Sequence, residues 1–354
     1  MGKKGFFVRF QLYALLLVGL ILLLLGGCWK NNLKQELIEF SGLALGTTYS
    51  IKIANLPDKI PPGSLNKEID SLLKEIEASM SIFPSSSEIS QFNQYTKTDW
   101  FRISPQILEV IKESIRISKL SDGAFDITTG GLIDLWGFGK KVTLNTIPDS
   151  EKIRELKSHI GYEKIITMEN PAAIRKKDPN LAINLSAIAK GFAVDKVAEL
   201  FGKKGIPNYL VEIGGEIRTG GFKQGKKLWV VAIERPEKER RTFQRIVKMK
   251  NNGMATSGDY RNFFEINQQR FSHTLDPETG RPVVNNLASV SVIHDSCMTA
   301  DALATAFMVL GEKDALSLAE HENLAVFIIV RTKKGLEERM SSAFKLFLES
   351  SVEL

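Results

Sequence analysis

Two cysteines in 354 residues, Cys28 and Cys297, rule out a disulfide-built scaffold. Histidine is scarce, with four in the chain, and no His or Cys pair has zinc-site spacing. No Gly-x-Gly-x-x-Gly follows a strand pattern, and no Gly-Lys-Ser/Thr loop occurs. Rossmann-type and P-loop nucleotide sites are therefore not expected. Neither sign of charge dominates. The net charge is +6, and three of the positives (Lys3, Lys4, Arg9) lie in the leading segment, leaving +3 for the rest. That is too little for a nucleic-acid partner. Repeats and low-complexity tracts are absent after residue 40, and only one long apolar run exists.

That run, Leu12 to Leu25, follows the basic residues and precedes Gly26, Gly27 and Cys28. Charge, apolar core and small residues in this order make a secretory signal. The Leu25-Gly26-Gly27-Cys28 ending resembles a bacterial lipobox, which implies lipidation at Cys28. Residues 1–27 are then a lipoprotein signal peptide, residues 28–40 the lipidated cysteine and a polar tether, and residues 41–354 the functional domain. An uncleaved anchor is the alternative, but the run is short for spanning a bilayer. With Cys28 acylated, Cys297 has no partner and reads as a buried small hydrophobe.

The remaining chain, within a whole that is 43% hydrophobic and 25% charged, has enough apolar material for a large core. Alternation predicts a strand over Leu43–Ile53. Helical spacing appears over Leu65–Met80 and over Pro105–Leu120, the latter with proline in its first turn. A helix over Ser150–Ile160 is expected to be capped by Asp149 or Ser150. Leu185–Phe201 reads as a helix capped by Ser186 and ended by Gly202. Strands are expected at Tyr209–Ile213, Leu228–Ile233, Phe263–Leu275, Ala288–His294 and Ala325–Val330. A helix over Thr299–Leu310, capped by Thr299, precedes Gly311. Strands and helices mixed without strict alternation indicate an α+β fold.

Three places carry potential chemistry. Lys190 falls in the opening turns of a predicted helix, where a cation opposes the helix dipole. An anion there would resolve the conflict, but from this segment alone a solvated surface lysine is the preferred reading, since an exposed lysine at a helix start is common. Asp301 and Thr305 are four apart on one helix face and offer hard oxygens suited to Mg2+. Asp301 also reads as an ordinary first-turn acid. The segment Phe271–Pro282 gathers His273, Asp276, Thr279 and Arg281 on one loop, which by itself reads as turn chemistry. Trp136 and Phe138 read as core.

Several further segments stand in a fixed order: Gly46-Thr47-Thr48-Tyr49-Ser50, Gly123-Ala124-Phe125-Asp126-Ile127-Thr128, Leu135-Trp136-Gly137-Phe138-Gly139, Leu185-Ser186-Ala187-Ile188-Ala189-Lys190-Gly191, Gly214-Gly215-Glu216-Ile217-Arg218, Ala255-Thr256-Ser257-Gly258-Asp259-Tyr260-Arg261, and Ala300-Asp301-Ala302-Leu303-Ala304-Thr305. Together with Ser272-His273 and Asp276-Pro277-Glu278-Thr279-Gly280, they resemble the ApbE family of FAD:protein FMN transferases. The resemblance implies a T-fold-like α+β core of two intertwined subdomains with FAD in the cleft between them. It implies FAD contacts at Leu45, Phe83, Ala124, Phe125, Asp126, Asn184, Lys190 and Thr274. It implies Mg2+ ligands at the Ala187 carbonyl, Asp301 and Thr305, and a catalytic role for His273, with Asp276 the second candidate for the base. Imidazole is the side chain that titrates nearest neutrality, which suits that role. Leu45 stands where the family usually has Met, Asn184 where Asp is common, and Gly131 where Pro is usual. The implied reaction is Mg2+-dependent transfer of FMN from FAD to a Ser or Thr hydroxyl, releasing AMP. The implied partners are FAD and acceptor redox proteins at the membrane, which the lipid anchor also holds. The implied location is the periplasmic side of the cell envelope, the inner membrane being preferred. An FAD pyrophosphatase and a non-catalytic flavin-binding lipoprotein are the alternative readings.

Overall fold

The computed structural model describes residues 37–140, 146–237, 242–260, 263–266 and 269–348. The readings placed on the leading segment, lipidation at Cys28 included, lie outside the described residues. From Leu37 onward the chain forms one compact unit.

Its centre is an eight-stranded sheet: β1 (Leu37–Ala44), β2 (Thr47–Ala54), β3 (Tyr209–Ile213), β4 (Glu216–Gly220), β5 (Gly253–Gly258), β6 (Leu287–His294), β7 (Ala325–Thr332) and β8 (Gly335–Met340). The strands lie side by side in chain order, and every neighbouring pair is antiparallel. The helices are inserted between strands. Between β2 and β3 run α1 (Pro62–Met80), α2 (Glu88–Gln94), α3 (Pro105–Leu120), α4 (Gly130–Leu135), α5 (Ser150–Ser158) and α6 (Ala189–Lys204), and α7 (Cys297–His321) lies between β6 and β7. This is the expected α+β class.

Strand β7 is buried on both faces because the sheet is packed on both. Val326, Ile328 and Val330 join the core under the helices, with Val290 and Val292 of β6, Phe192 of α6 and Phe307 of α7. Ala325, Phe327 and Ile329 point the other way, into a second core with Val231, Ile233, Val247 and Met249 of the ribbon Trp229–Glu234/Phe243–Met249. A third, smaller core (Leu132, Trp136, Ile153, Phe271, Leu275) sits beside the cavity described below.

Local rules account for most elements. Ser104 accepts the Ile107 N–H at the start of α3, Pro105 occupies its first position, and Asp149 accepts the Glu151 N–H ahead of α5. Elsewhere tertiary structure overrides the pattern. The strand expected over Leu43–Ile53 is a hairpin, because Leu45 (φ 49°) and Gly46 (φ 73°) turn the chain. Its first strand begins at Leu37, inside the expected tether. The stretch Phe263–Leu275 is likewise folded back, as the hairpin Phe263–Ile266/Gln269–Ser272, and Leu275–Asp276 pairs with Arg281–Pro282. Helix α6 starts at Ala189 and ends at left-handed Gly205, neither at Ser186 nor at Gly202. The cap of α7 is Ser296, not Thr299, and this helix resumes after a break at Gly311 (φ 80°). Among the described residues no helix is long and apolar enough to cross a membrane.

Lys176 is almost fully buried, at 1% exposure. Its ammonium donates to the carbonyls of Phe92 (3.3 Å) and Leu181 (3.1 Å) and lies 5.0 Å above the Phe92 ring. Burial pushes it down to about 8, with Asp178 opposing. Between about pH 8 and the ordinary lysine value near 10.4, the unfolded chain therefore holds a proton that the folded chain has released. Stability rises with pH across that window. Denaturant unfolding of wild type and Lys176→Met between pH 7.5 and 10.5 should show that rise in the wild type alone; parallel profiles would refute it.

Candidate active site

Lys190 and Asp301 come from the opening turns of two helices that touch. Asn184 prepares the first of these turns. Its Oδ1 accepts the Ser186 N–H at 2.9 Å, which holds residues 184–188 out of the helix and delays the start of α6 to Ala189. The Gly191 N–H stands four residues beyond the Ala187 carbonyl but donates to Asp301 Oδ2 at 2.9 Å, so the helix does not claim that carbonyl through its usual i→i−4 bond. Gly191 is required here: a Cβ would lie 2.4 Å from the Cys297 carbonyl oxygen and 2.8 Å from Asp301 Cβ.

The start of α7 is fixed from α6. Asp195 accepts the Ser296 hydroxyl (2.7 Å) and the N–H groups of Cys297 and Met298 (3.0 Å each), and it pairs with Arg218 of β4. This arrangement sets the height of Asp301 relative to Lys190. Thr305, one turn on, lies 3.1 Å from the Ser257 hydroxyl of β5.

The turn between β3 and β4 supplies a third group. Gly214 (φ 64°) lies close against both Thr47 and the Lys190 side chain, leaving no room for a Cβ. The turn delivers Glu216, whose Oε1 accepts from the Lys190 ammonium at 2.6 Å; Asp301 Oδ1 is 4.0 Å from the same nitrogen. Burial alone would lower the lysine, but the Asp301 and Glu216 carboxylates outweigh it and raise it above its ordinary value. Burial pushes Glu216 up to about 7, against the pull of Lys190 and with help from Asp301. Asp301 is raised mainly by burial, with Lys190 and the Gly191 N–H opposing.

These groups open into a cavity of about 1000 Å³. Of the residues expected in the site, Leu45, Ala124, Phe125, Asp126, Asn184, Ala187, Lys190, His273, Thr274, Asp301 and Thr305 all line it. Asp126 is half-buried. Its Oδ1 accepts from the N–H and hydroxyl of Thr128, and its Oδ2 from the Tyr162 N–H at 2.9 Å. Burial raises it despite these donors. His273 follows the hairpin Phe263–Ile266/Gln269–Ser272 and meets the ring of Phe138 edge-on, with centroids 6.3 Å apart. Trp136 is core as expected, donating to the Gly280 carbonyl at 2.9 Å. Phe138, in contrast, also faces the cavity.

Two expected residues are not in the cavity wall. Phe83 is 69% exposed and lies outside it. It follows the end of α1 on an exposed turn, where its side chain meets solvent. Asp276 also lies off the wall, between Leu275 and Pro277, which are on it. Its Oδ1 accepts the Glu278 N–H at 2.8 Å, so the carboxylate closes its own turn. Residues not assigned from the sequence also line the cavity, among them Glu216, Thr256, Ser257 and Tyr260. Each sits in a motif that the sequence displays, Gly-Gly-Glu-Ile-Arg or Ala-Thr-Ser-Gly-Asp-Tyr-Arg, but the motifs alone do not say which side chains turn inward.

The profile of the ApbE family matches residues 45–328, a span that contains every cavity residue named above. The chain belongs to the ApbE family. Among its relatives, the FAD:protein FMN transferase of Vibrio cholerae is 44% identical over 327 residues, covering 92% of this chain and 96% of the relative. The protein of the same name from Haemophilus influenzae is 40% identical over 337 residues, covering 92% and 95%. The solved flavin transferase ApbE from Vibrio cholerae superposes with a TM-score of 0.82 at 41% identity, over 88% of this chain and 99% of that one. The apo flavinyl transferase ApbE of Pseudomonas stutzeri gives 0.82 at 33% identity, over 90% and 98%. The eight-stranded sheet with its inserted helices is thus the ApbE fold.

Proposed function

We propose that this chain transfers the FMN half of FAD onto a Ser or Thr hydroxyl of an acceptor protein, with release of AMP. The observation that carries the reading is the meeting of Lys190, Asp301 and Thr305 at one large cavity, in a chain closely similar to proteins named FAD:protein FMN transferase.

The donor set suits Mg2+. Among the described residues, no three His, Cys, Asp or Glu side chains are grouped to hold a metal by themselves. What the site offers is one carboxylate (Asp301), one hydroxyl (Thr305) and the Ala187 carbonyl. Mg2+ prefers such a sparse set of hard oxygens, completed by water and substrate phosphates. When bound, the ion would neutralise diphosphate charge as a Lewis acid.

The chain's own groups do the rest. Lys190 donates to the diphosphate and offsets its charge, and the fixed helix starts position it without further reorganisation. His273 accepts the proton of the acceptor hydroxyl. The acceptor oxygen bonds to the FMN-side phosphorus as the bond from that phosphorus to the bridging oxygen breaks, and that oxygen leaves with AMP. Asp276 does not serve as the base, because its carboxylate closes its own turn outside the cavity wall. The signal sequence supports attachment through lipidated Cys28 at the periplasmic side of the envelope, with membrane-bound redox proteins as acceptors.

Incubation with FAD, Mg2+ and a candidate acceptor, followed by mass spectrometry, should reveal one added FMN on the acceptor. FMN and AMP released equally well without acceptor would make the chain a pyrophosphatase instead. Intact FAD after prolonged incubation would make it a binding protein. His273→Ala should lower labelling by about 10²–10⁴-fold while FAD binding persists, as for a general base. A loss below tenfold would assign the proton to another group.

A further inference from the structure

Glu216 has no part in the transfer as described, yet it sits in the cavity wall at 2% exposure. One of its oxygens meets Lys190, and the other, Oε2, is buried with no hydrogen-bond partner among the described residues. An unsatisfied buried carboxylate oxygen is costly, and such groups in a native fold call for an explanation beyond packing. Neutralising Lys190 is not a sufficient one. Asp301 already lies 4.0 Å from the ammonium and could close on it. With both acids ionised, the single ammonium faces two buried carboxylates, 2.6 and 4.0 Å away, and the cation-free pocket carries an excess of negative charge.

Two consequences follow from electrostatics. The ammonium is drawn toward Glu216, which leaves Asp301 Oδ1 available to a divalent cation. An anionic diphosphate arriving before the cation is repelled, and in a pocket of low dielectric that repulsion is strong. A cation bound at Asp301 reverses the sign of the pocket.

We infer that Glu216 makes FAD binding conditional on the divalent cation: by holding Lys190 away from Asp301 and keeping the cation-free pocket negative, it enforces the order cation first, dinucleotide second. Glu216 is on this account a positioning and gating residue that touches neither the cation nor the reacting atoms. The inference rests on the proposed handling of FAD by this cavity.

The test separates the two binding events on the full chain. Glu216→Gln keeps an acceptor for Lys190 and removes only the charge, whereas Glu216→Ala removes both. Mg2+ is titrated by calorimetry without FAD. FAD is titrated by its fluorescence, once in EDTA and once in saturating Mg2+. The Gln variant should bind Mg2+ about tenfold more weakly, and the Ala variant more weakly still. In EDTA, both should bind FAD about tenfold more tightly than wild type, so the enhancement by Mg2+ shrinks. Opposite changes in the two affinities are the signature, since simple damage to the fold would weaken both. Unchanged Mg2+ affinity in both variants, or parallel loss of Mg2+ and FAD binding, overturns the inference. Wild type that fails to bind FAD even in saturating Mg2+ would instead overturn the transferase reading, and the Mg2+ titration would still report on Glu216.

Discussion

Replacing Asp301 by Ala is expected to lower FMN transfer about a thousandfold or more. Asp301 has three relationships that Ala cannot reproduce. It is the one carboxylate of the proposed cation site, it accepts the Gly191 N–H at 2.9 Å, and it faces the Lys190 ammonium at 4.0 Å. Losing it removes the cation's charge partner and frees Lys190 to settle entirely on Glu216. The fold should survive, because the start of α7 is held independently by Ser296 and Asp195. Asp301→Asn separates the contributions: it retains an acceptor for Gly191 but not the charge, and it should be nearly as inactive as the Ala variant. The measurement is flavin fluorescence on the acceptor band in a gel, with Mg2+ affinity from calorimetry. Full labelling by Asp301→Ala would remove this residue from the mechanism.

Gly191→Ala is expected to produce the largest loss of stability. The added methyl would lie 2.4 Å from the Cys297 carbonyl oxygen and 2.7 Å from its carbon. These are backbone atoms that cannot rotate away, so α6 and α7 must separate. Overpacking of this kind costs about 1–3 kcal/mol, which lowers the melting temperature by several degrees, at roughly 2–4 °C per kcal/mol for a chain of this general size. Activity should fall further than stability, because the displacement acts on the spacing of Lys190 and Asp301. Gly202→Ala in the same helix is the control. It is exposed, and a Cβ there meets nothing within 4 Å. This substitution should leave the melting temperature unchanged or raise it, since alanine is favoured over glycine in a helix by about 1 kcal/mol. Equal behaviour of the two variants in differential scanning calorimetry would show that helix–helix contact is not what Gly191 provides.

Elements governed by local rules were legible in the sequence. The helix Pro105–Leu120 is specified end to end, because its apolar spacing and first-turn proline are all local. Tyr209–Ile213 was also found in full, bounded by turn residues. The sequence is ambiguous where a local pattern is consistent with two geometries. The apolar run Leu185–Ala189 has helical spacing, but the Asn184 side chain ties the Ser186 N–H into a turn and postpones the helix. Leu45 turns the chain with a positive φ that leucine rarely adopts, so nothing in the alternation of Leu43–Ile53 marked the hairpin. Lys190 illustrates the same limit in charge. A lysine near a helix start is normally solvated, and only the approach of Glu216 and Asp301 makes it a paired, half-buried cation.

The family, the α+β class and most of the residues around the cavity are thus properties of the linear sequence, since motifs, periodicity and turn chemistry are written over a few neighbouring positions. Tertiary structure alone decided that positions 190, 216 and 301 converge, and that Phe83 and Asp276 do not join them. The reason is physical: an electrostatic site depends on through-space distance and on exclusion of water. Here both are set by how closely two helices approach across Gly191 and by how the glycine turn at Gly214 aims a carboxylate inward.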